Sequence, residues 1–274
     1  MADDVLFEKR PDGVGLITLN RPDRLNAMGG QLMPMLTDYL DQCLRDREIR
    51  AVVLTGAGRA FCAGGDVKEM GPQKSSDESA ASRSMVGGLD EGVAALREAQ
   101  MGTSYVLHTM PKPTIAMVNG AAAGAGLSLA LACDLRIVSD KAKFVTAFGN
   151  VGLSGDFGGS FYMTRLVGPG KARELYFTSE MVYAEEALKL GMVNRVVPHD
   201  KLAEETLALA AKLAAGPTTT FAHMKENFSL AEQGDLKALM DQEAFKQRLT
   251  SMTNDSREAV RAFNEKRDPK FTGS

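Results

Sequence analysis

The chain has 274 residues, 44% apolar and 24% charged, with a formal net charge of −3 and a sequence pI near 5.8. That length allows one large core, or a core with an appended piece, while the acidic balance argues against general nucleic-acid binding, which needs a basic face. Cys43, Cys62 and Cys133 lack metal-ligand spacing, the three histidines are far apart, and no apolar run is as long as a membrane span, so we expect a soluble cytoplasmic protein with reduced thiols, no metal and no membrane contact.

Val5–Lys9 and Val14–Leu19 read as a hairpin about the turn residues Pro11-Asp12-Gly13, and Asn20-Arg21-Pro22 ends the second strand. From Asn26 to about Arg47 the leucines 32, 36, 40 and 44 recur at helical spacing, and Ala51–Thr55 reads as a strand buried on both faces. Strand, helix and strand in that order imply a layered α/β or α+β core.

Gly56–Met70, GAGRAFCAGGDVKEM, is a glycine-rich turn after a buried strand. Asp66 can cap a helix that starts there, and the N–H groups of Gly64 and Gly65 can either face a ligand or simply close a tight turn. Gly71–Gly88 has little periodicity and is expected to be a mobile loop over the pocket or a surface excursion. A helix is expected from about Asp90 to Thr109, stopped by Pro111 and Pro113, with His108 a surface or interface residue.

Thr114–Asp134, TIAMVNGAAAGAGLSLALACD, repeats the pattern: an apolar strand breaks at Asn119-Gly120, and a Gly/Ala-rich turn leads into an apolar helix from about Ala123 to Cys133. Gly120, Gly124 and Gly126 permit close approach, and the first helical turn leaves N–H groups for an oxygen that carries negative charge. The stretch is therefore half of an oxyanion hole, or a helix packed tightly on a sheet. Other motifs fit poorly. The glycines read G-x-x-x-G-x-G rather than G-x-G-x-x-G, although Asp140 follows the strand Leu135–Val138; no Gly-Lys-Ser/Thr is present; and around Ser128 the final glycine of a nucleophile elbow is missing.

Phe144–Gly159, FVTAFGNVGLSGDFGG, places Asp156 among Phe148, Val151, Leu153, Phe157 and Phe161. Apolar surroundings disfavour the charged form and make a carboxylate a better base. The alternative is an N-cap for the helix up to Val167, where the dipole would favour the charged form. Ala184–Pro198 reads as a short helix, a Gly191 stop and a strand Val193–Val197. Beyond Pro198 only helices are expected: Leu202, Thr206, Leu209 and Leu213 share a face, Pro217 opens the next, and Leu236–Leu249 and Arg257–Lys266 follow. The change divides the chain into a core, 1–200, and a helical region, 201–274, whose apolar faces suit oligomerisation.

The segments Asn20-Arg21-Pro22 with Asn26-Ala27, AFCAGGDVKEM, PKPTIAMVNGAAAGAGLSLALACDLRIVSDKAKF, VGLSGDFGGSFYMTRLVG and ALKLGMVNRVVP, in that order, resemble the crotonase (enoyl-CoA hydratase/isomerase) superfamily over nearly the whole chain. The resemblance implies a mixed α/β spiral of repeated strand-strand-helix units with a C-terminal helical region, assembled as trimers or pairs of trimers. It implies stabilisation of a thioester enolate by two backbone N–H groups, here Gly65 and Ala125, the second usually glycine and usable only at negative φ. Coenzyme A would arrive as part of the acyl-CoA substrate, with no tightly bound cofactor, and would meet Arg24, Ala63, Asp66, Lys68 and Lys266.

Hydratases of the family use two glutamates, whose places fall on Ser128 and Phe148, and neither residue can move a proton. Asp156 falls where several double-bond isomerases carry an acid, and one carboxylate suffices to take an allylic proton from one carbon and return it to another. The dehalogenase-type relatives also carry aspartate there, as a nucleophile, but need a tryptophan, of which this chain has none, and a histidine where Met101 stands. We therefore expect an enoyl-CoA isomerase, with hydratase activity or CoA-thioester binding without turnover as alternatives.

Overall fold

The computed structural model describes the backbone of residues 3–66 and 78–274. The expected hairpin forms with the expected bounds, β1 (Val5–Lys9) antiparallel to β2 (Val14–Leu19). Gly13 sits at φ +81° in the connecting turn, a conformation open to glycine. Helix α1 (Leu32–Arg45) starts later than Asn26, because Leu25 and Asn26 are both left-handed. Its buried face is Leu32, Leu36, Leu40 and Cys43, with Leu44 turned out. Steps of four residues drift ~40° each against a 3.6-residue turn, so by the third step the position before Leu44 faces the core.

Three strand-strand-helix units follow. β3 (Ala51–Gly56) leads to β4 (Ala60–Cys62) and α2 (Glu78–Gly102), then α3 (Ser104–Thr109). β5 (Thr114–Val118) leads to β6 (Ala121–Ala123) and α4 (Ala125–Ala132). β7 (Leu135–Ser139) leads to β8 (Lys143–Val145) and α5 (Gly159–Val167). The first strand of each unit joins a six-stranded sheet, order β1-β2-β3-β5-β7-β10, and the second joins a four-stranded sheet, order β4-β6-β8-β9. Within the units all pairings are parallel, so each turn between the two strands lies at the same end of the large sheet. This is the expected spiral. α6 (Pro169–Thr178), β9 (Val182–Tyr183), α7 (Ala184–Lys189) and β10 (Arg195–Val197) close the two sheets.

The segment expected to be a loop from Gly71 to Gly88 is already helical from Glu78, and the single helix expected up to Thr109 is broken at Thr103. The large sheet is buried on both faces. Val52 and Leu54 pack with α1 and α4, whereas Ala51, Val53, Ile115 and Ile137 pack against Leu202, Ala210 and Ala214 of α8 (Leu202–Ala214). The first helix beyond residue 200 is thus a layer of the core. α9 (Thr218–Ala231), α10 (Leu236–Ser251, capped by Asp235) and α11 (Asn254–Glu265, capped by Thr253) bury little, and leave Phe228, Leu236, Met240, Phe245 and Phe263 exposed.

Arg136 of β7 is buried, and its guanidinium donates to the carbonyls of Leu131, Cys133 and Met192, tying the end of α4 to the chain before β10. Burial lowers its pKa. Arg136→Leu should cost roughly 2–4 kcal/mol of stability, because three buried carbonyls lose their donor; urea unfolding followed by circular dichroism checks this.

Candidate active site

All three inter-strand turns open at one end of the large sheet, and Asn26 ties two of the loops together there. Its left-handed backbone, tolerated by asparagine, turns the side chain inward. Its Oδ1 accepts from Arg21 N–H at 2.9 Å, and its Nδ2 donates to the carbonyls of Ala57, Ala60 and Phe61 at 3.0, 2.8 and 3.2 Å. Asn119 Nδ2 donates to Gly58 O at 2.8 Å and joins the second unit to the first.

The segment after β4 runs parallel to residues 25–28. Ala63 N–H donates to Leu25 O (3.0 Å), Met28 N–H to Gly64 O (2.7 Å) and Asp66 N–H to Met28 O (3.4 Å). In a parallel bridge of this register the N–H of the middle residue points to the other side, so Gly65 turns its N–H away from Met28. The start of α4 lies close to this segment: a Cβ on Gly64 would stand 2.8 Å from Ala123 O and 3.4 Å from Ala125 N. Ala125 is the first residue of α4, and it is absent from the positive-φ residues because Gly124 (φ +51°) makes the sharp turn before it. Its N–H therefore belongs to the helix terminus, where no intrahelical acceptor exists. The two amides expected to pair are brought to neighbouring turns.

Asp156 stands on a turn that includes Gly155 (φ +107°), Phe157 (φ +49°) and Gly158 (φ +74°). A buried phenylalanine in the left-handed region is strained, and such strain persists only where the surroundings fix it; Phe157 N–H is held by Gln100 Oε1 of α2 at 3.1 Å. Helix α5 begins at Gly159 with Gly158 as its cap residue and no side-chain cap. Asp156 is therefore not an N-cap. It is half-buried, and its Oδ1 is buried with no hydrogen-bond partner among the described residues. Desolvation pushes its pKa up to about 6, as expected of a carboxyl without a compensating donor.

Ser128 and Phe148 are both buried, Ser128 Oγ donating to Gly124 O at 3.3 Å. Phe148 stacks on Tyr176 with ring centroids 6.0 Å apart and lies 3.7 Å from where a Gly124 Cβ would be. The wall between the amide pair and Asp156 is thus aromatic and hydroxylic, with no second carboxylate supplied by these two positions.

The residues expected to meet coenzyme A divide. Arg24 is exposed and adjoins Leu25, the partner of Ala63, so it lies beside the amide turn. Ala63 is half-buried in that turn. Asp66 is buried and pairs with Arg21 Nη2 at 3.5 Å, while the helix it was expected to cap, and Lys68, lie outside the described residues. Lys266 ends α11, left-handed and exposed. The tail beyond α11 folds back on that helix, the N–H groups of Thr272 and Gly273 donating to Asp255, and Arg50, at the start of β3 rather than its end, donates to Phe271 O and Gly216 O. Within one chain Lys266 is not brought to the amide pair.

A cavity of about 390 Å³ lies elsewhere, at the far end of α4 between α5 and α9. Its lining includes His108 beside Glu232 at 3.3 Å, Lys225 paired with Asp134 at 2.8 Å, and Arg136 and Arg165, which donate to backbone carbonyls, and it holds neither amide nor Asp156. Asn26, Gln100 and Tyr176 carry much of the site's geometry and had no individual role in the sequence. The one sequence signal among them is the asparagine at 26, a few residues beyond Pro22, a residue type that accepts left-handed backbone.

Residues 9–274 match the family described as enoyl-CoA hydratase/isomerase. The chain is 38% identical over 261 residues, 95% of each chain, to 1,2-epoxyphenylacetyl-CoA isomerase of Escherichia coli. It is 32% identical over 268 residues to the short-chain-enoyl-CoA hydratase of Clostridium acetobutylicum, covering 97% of this chain and 96% of that one. The crystal structure of an enoyl-CoA hydratase from Bacillus anthracis superposes with a TM-score of 0.88 at 31% identity, covering 99% of this chain and all of the other. With the strand-strand-helix spiral and the paired turns already in place, these likenesses leave one assignment: the chain belongs to the enoyl-CoA hydratase/isomerase family, the crotonase superfamily.

Proposed function

We propose that the protein shifts the carbon–carbon double bond of an enoyl-CoA thioester with Asp156 as its single proton shuttle. The carboxylate takes a proton from C2 of a 3-enoyl thioester, and the electrons move into a dienolate. The thioester oxygen carries the negative charge against the N–H groups of Gly65 and Ala125. The same carboxyl then returns the proton to C4, giving the 2-enoyl isomer. Preorganised donors of this kind contribute several kcal/mol to the transition state.

The observation that carries the reading is the half-buried carboxyl of Asp156, whose buried Oδ1 has no hydrogen-bond partner among the described residues, beside Ser128 and Phe148, which offer no acid or base. Water addition needs two proton-handling groups, one for water and one for carbon. Coenzyme A enters only with the substrate, its phosphates meeting Arg24, Lys68 and, from a neighbouring copy in a trimer or pair of trimers, Lys266. The exposed apolar faces of α9–α11 support such an assembly, and we place the protein in the cytoplasm.

The test is incubation with a 3-enoyl-CoA and, separately, a 2-enoyl-CoA in deuterated water, followed by mass spectrometry. Conversion of the 3-enoyl to the 2-enoyl isomer without gain of water is expected. Rapid hydration of the 2-enoyl thioester would make the protein a hydratase, and bound, unchanged thioesters would make it a binding protein.

A further inference from the structure

The buried Oδ1 of Asp156 has no hydrogen-bond partner among the described residues, so the aim of the carboxyl depends on the backbone that carries it. The peptide plane between Asp156 and Phe157 is held at both ends. Its carbonyl accepts from Gly159 N–H at 3.0 Å, at the start of α5, and its N–H donates to Gln100 Oε1 at 3.1 Å. A backbone N–H can only donate, so the glutamine presents its oxygen there. Among the described residues no other hydrogen bond reaches the N–H groups of residues 154–158. Gln100 itself stands on a fixed base. Its carbonyl accepts from Thr103 N–H at 3.4 Å and Ser104 Oγ at 3.3 Å, and Thr103 Oγ1 donates to Ala99 O at 2.6 Å. A Cβ on Gly102 would stand 2.7 Å from Thr37 Cγ2, so the end of α2 lies close against α1. Ser104 O accepts from the Tyr162 hydroxyl at 3.3 Å. The junction of α2 and α3 thus holds both the turn before α5 and the helix itself.

We propose that Gln100 is a positioning residue for Asp156: its side-chain carbonyl fixes the Asp156–Phe157 peptide plane, and with it the direction in which the carboxyl leaves the turn. Proton transfer between two carbons of one acyl chain needs that direction held closely. Phe157 is left-handed with its ring in the core, a backbone state that a bulky residue keeps only under constraint. Without the acceptor its N–H has no partner, and φ of Phe157 can relax to ordinary negative values while ψ of Asp156 turns with it. An uncharged acceptor suits the place. A carboxylate there would set a like charge beside Asp156 and raise its pKa further. The other side chains packed on this turn, Ser128, Phe148, Tyr162 and Tyr176, carry no charge at neutral pH, and burial pushes both phenols up.

This inference rests on Asp156 being the proton shuttle of an isomerase, and its test has one arm that needs no turnover. Gln100→Leu is expected to lower kcat for 3-enoyl to 2-enoyl conversion by roughly ten- to hundredfold, with thioester KM changed less than about twofold. Gln100→Glu keeps an acceptor. Its plateau kcat should stay within about threefold of the parent, with the rising limb of kcat/KM moved to higher pH by the added charge. In hydrogen exchange resolved to single residues by mass spectrometry, the Phe157 amide should exchange about tenfold faster in Gln100→Leu than in the parent and return to the parent rate in Gln100→Glu. An unchanged kcat in Gln100→Leu, or a fall that Gln100→Glu shares in full, would reduce Gln100 to a packing residue and overturn the proposal. Exchange that follows the acceptor in a protein without isomerase activity would remove the isomerase reading and leave Gln100 as the residue that holds the Asp156 turn. If Gln100→Leu folds poorly, Gln100→Met, which keeps the unbranched stem and lacks the carbonyl, gives the same decision.

Discussion

Asp156→Asn is expected to lower the rate of 3-enoyl to 2-enoyl conversion by roughly 10²–10⁴-fold while thioester affinity stays within about twofold. The amide keeps the shape of the carboxyl but cannot accept a proton, and the contacts expected to bind coenzyme A lie on other segments. Equal activity in the variant, measured by the ultraviolet change of the thioester, would remove Asp156 from the mechanism. In the parent protein kcat/KM should rise as pH passes through about 6, where the carboxyl ionises, and then level off.

The same substitution has a stability signature with a definite sign. The folded pKa of Asp156, about 6, lies above its ordinary value of 3.8. Between the two values the native state binds more protons than the unfolded state, so stability falls as pH rises through this window and remains lowered above it. Asparagine has no charge to desolvate. Asp156→Asn should therefore melt above the parent protein at pH 7, with the difference fading below pH about 4. A calorimetric series at pH 4, 5.5 and 7 checks this, and a lower melting temperature at pH 7 would show that the carboxylate has a stabilising partner.

Gly126→Ala is expected to destabilise the fold by about 2–3 kcal/mol and to cost most of the activity. On helix propensity alone the change would gain up to about 1 kcal/mol. Packing outweighs it, because the new Cβ would stand 2.3 Å from the carbonyl oxygen of Cys62 and 2.7 Å from its Cβ. Cys62 ends β4, and Ala63, Gly64 and Gly65 follow directly, so pushing α4 away from Cys62 moves the N–H of Ala125 relative to that of Gly65. Gly92 in α2 has nothing among the described residues within 4 Å of its Cβ direction, and Gly92→Ala should gain stability by the propensity term with activity unchanged. Denaturant midpoints and initial rates of the two variants together decide whether the glycine at 126 is required for close approach or is incidental.

The sequence by itself determined the hairpin, the buried strand β3, the two glycine turns and the aspartate in an apolar setting, together with the family they belong to. These features rest on local rules: alternation and β-branching, turn chemistry at Gly13, and proline stops. Local periodicity erred where small angles accumulate, turning Leu44 rather than Cys43 toward the core, and where a left-handed pair, Leu25-Asn26, delays a helix. It also left open whether Asp156 caps a helix, because that depends on a start two or three residues further on, which Gly158 decides. Only the tertiary structure brings Gln100 to the amide of Phe157, Tyr176 to Gly155 and Gly159, and the end of β4 against the first turn of α4. These contacts join residues 17 to 64 positions apart, on elements whose separate patterns carry no mark of one another. The pKa of Asp156 is decided there as well: desolvation is a property of what surrounds a carboxyl in space, and the neighbours that exclude water from it come from other turns of the spiral.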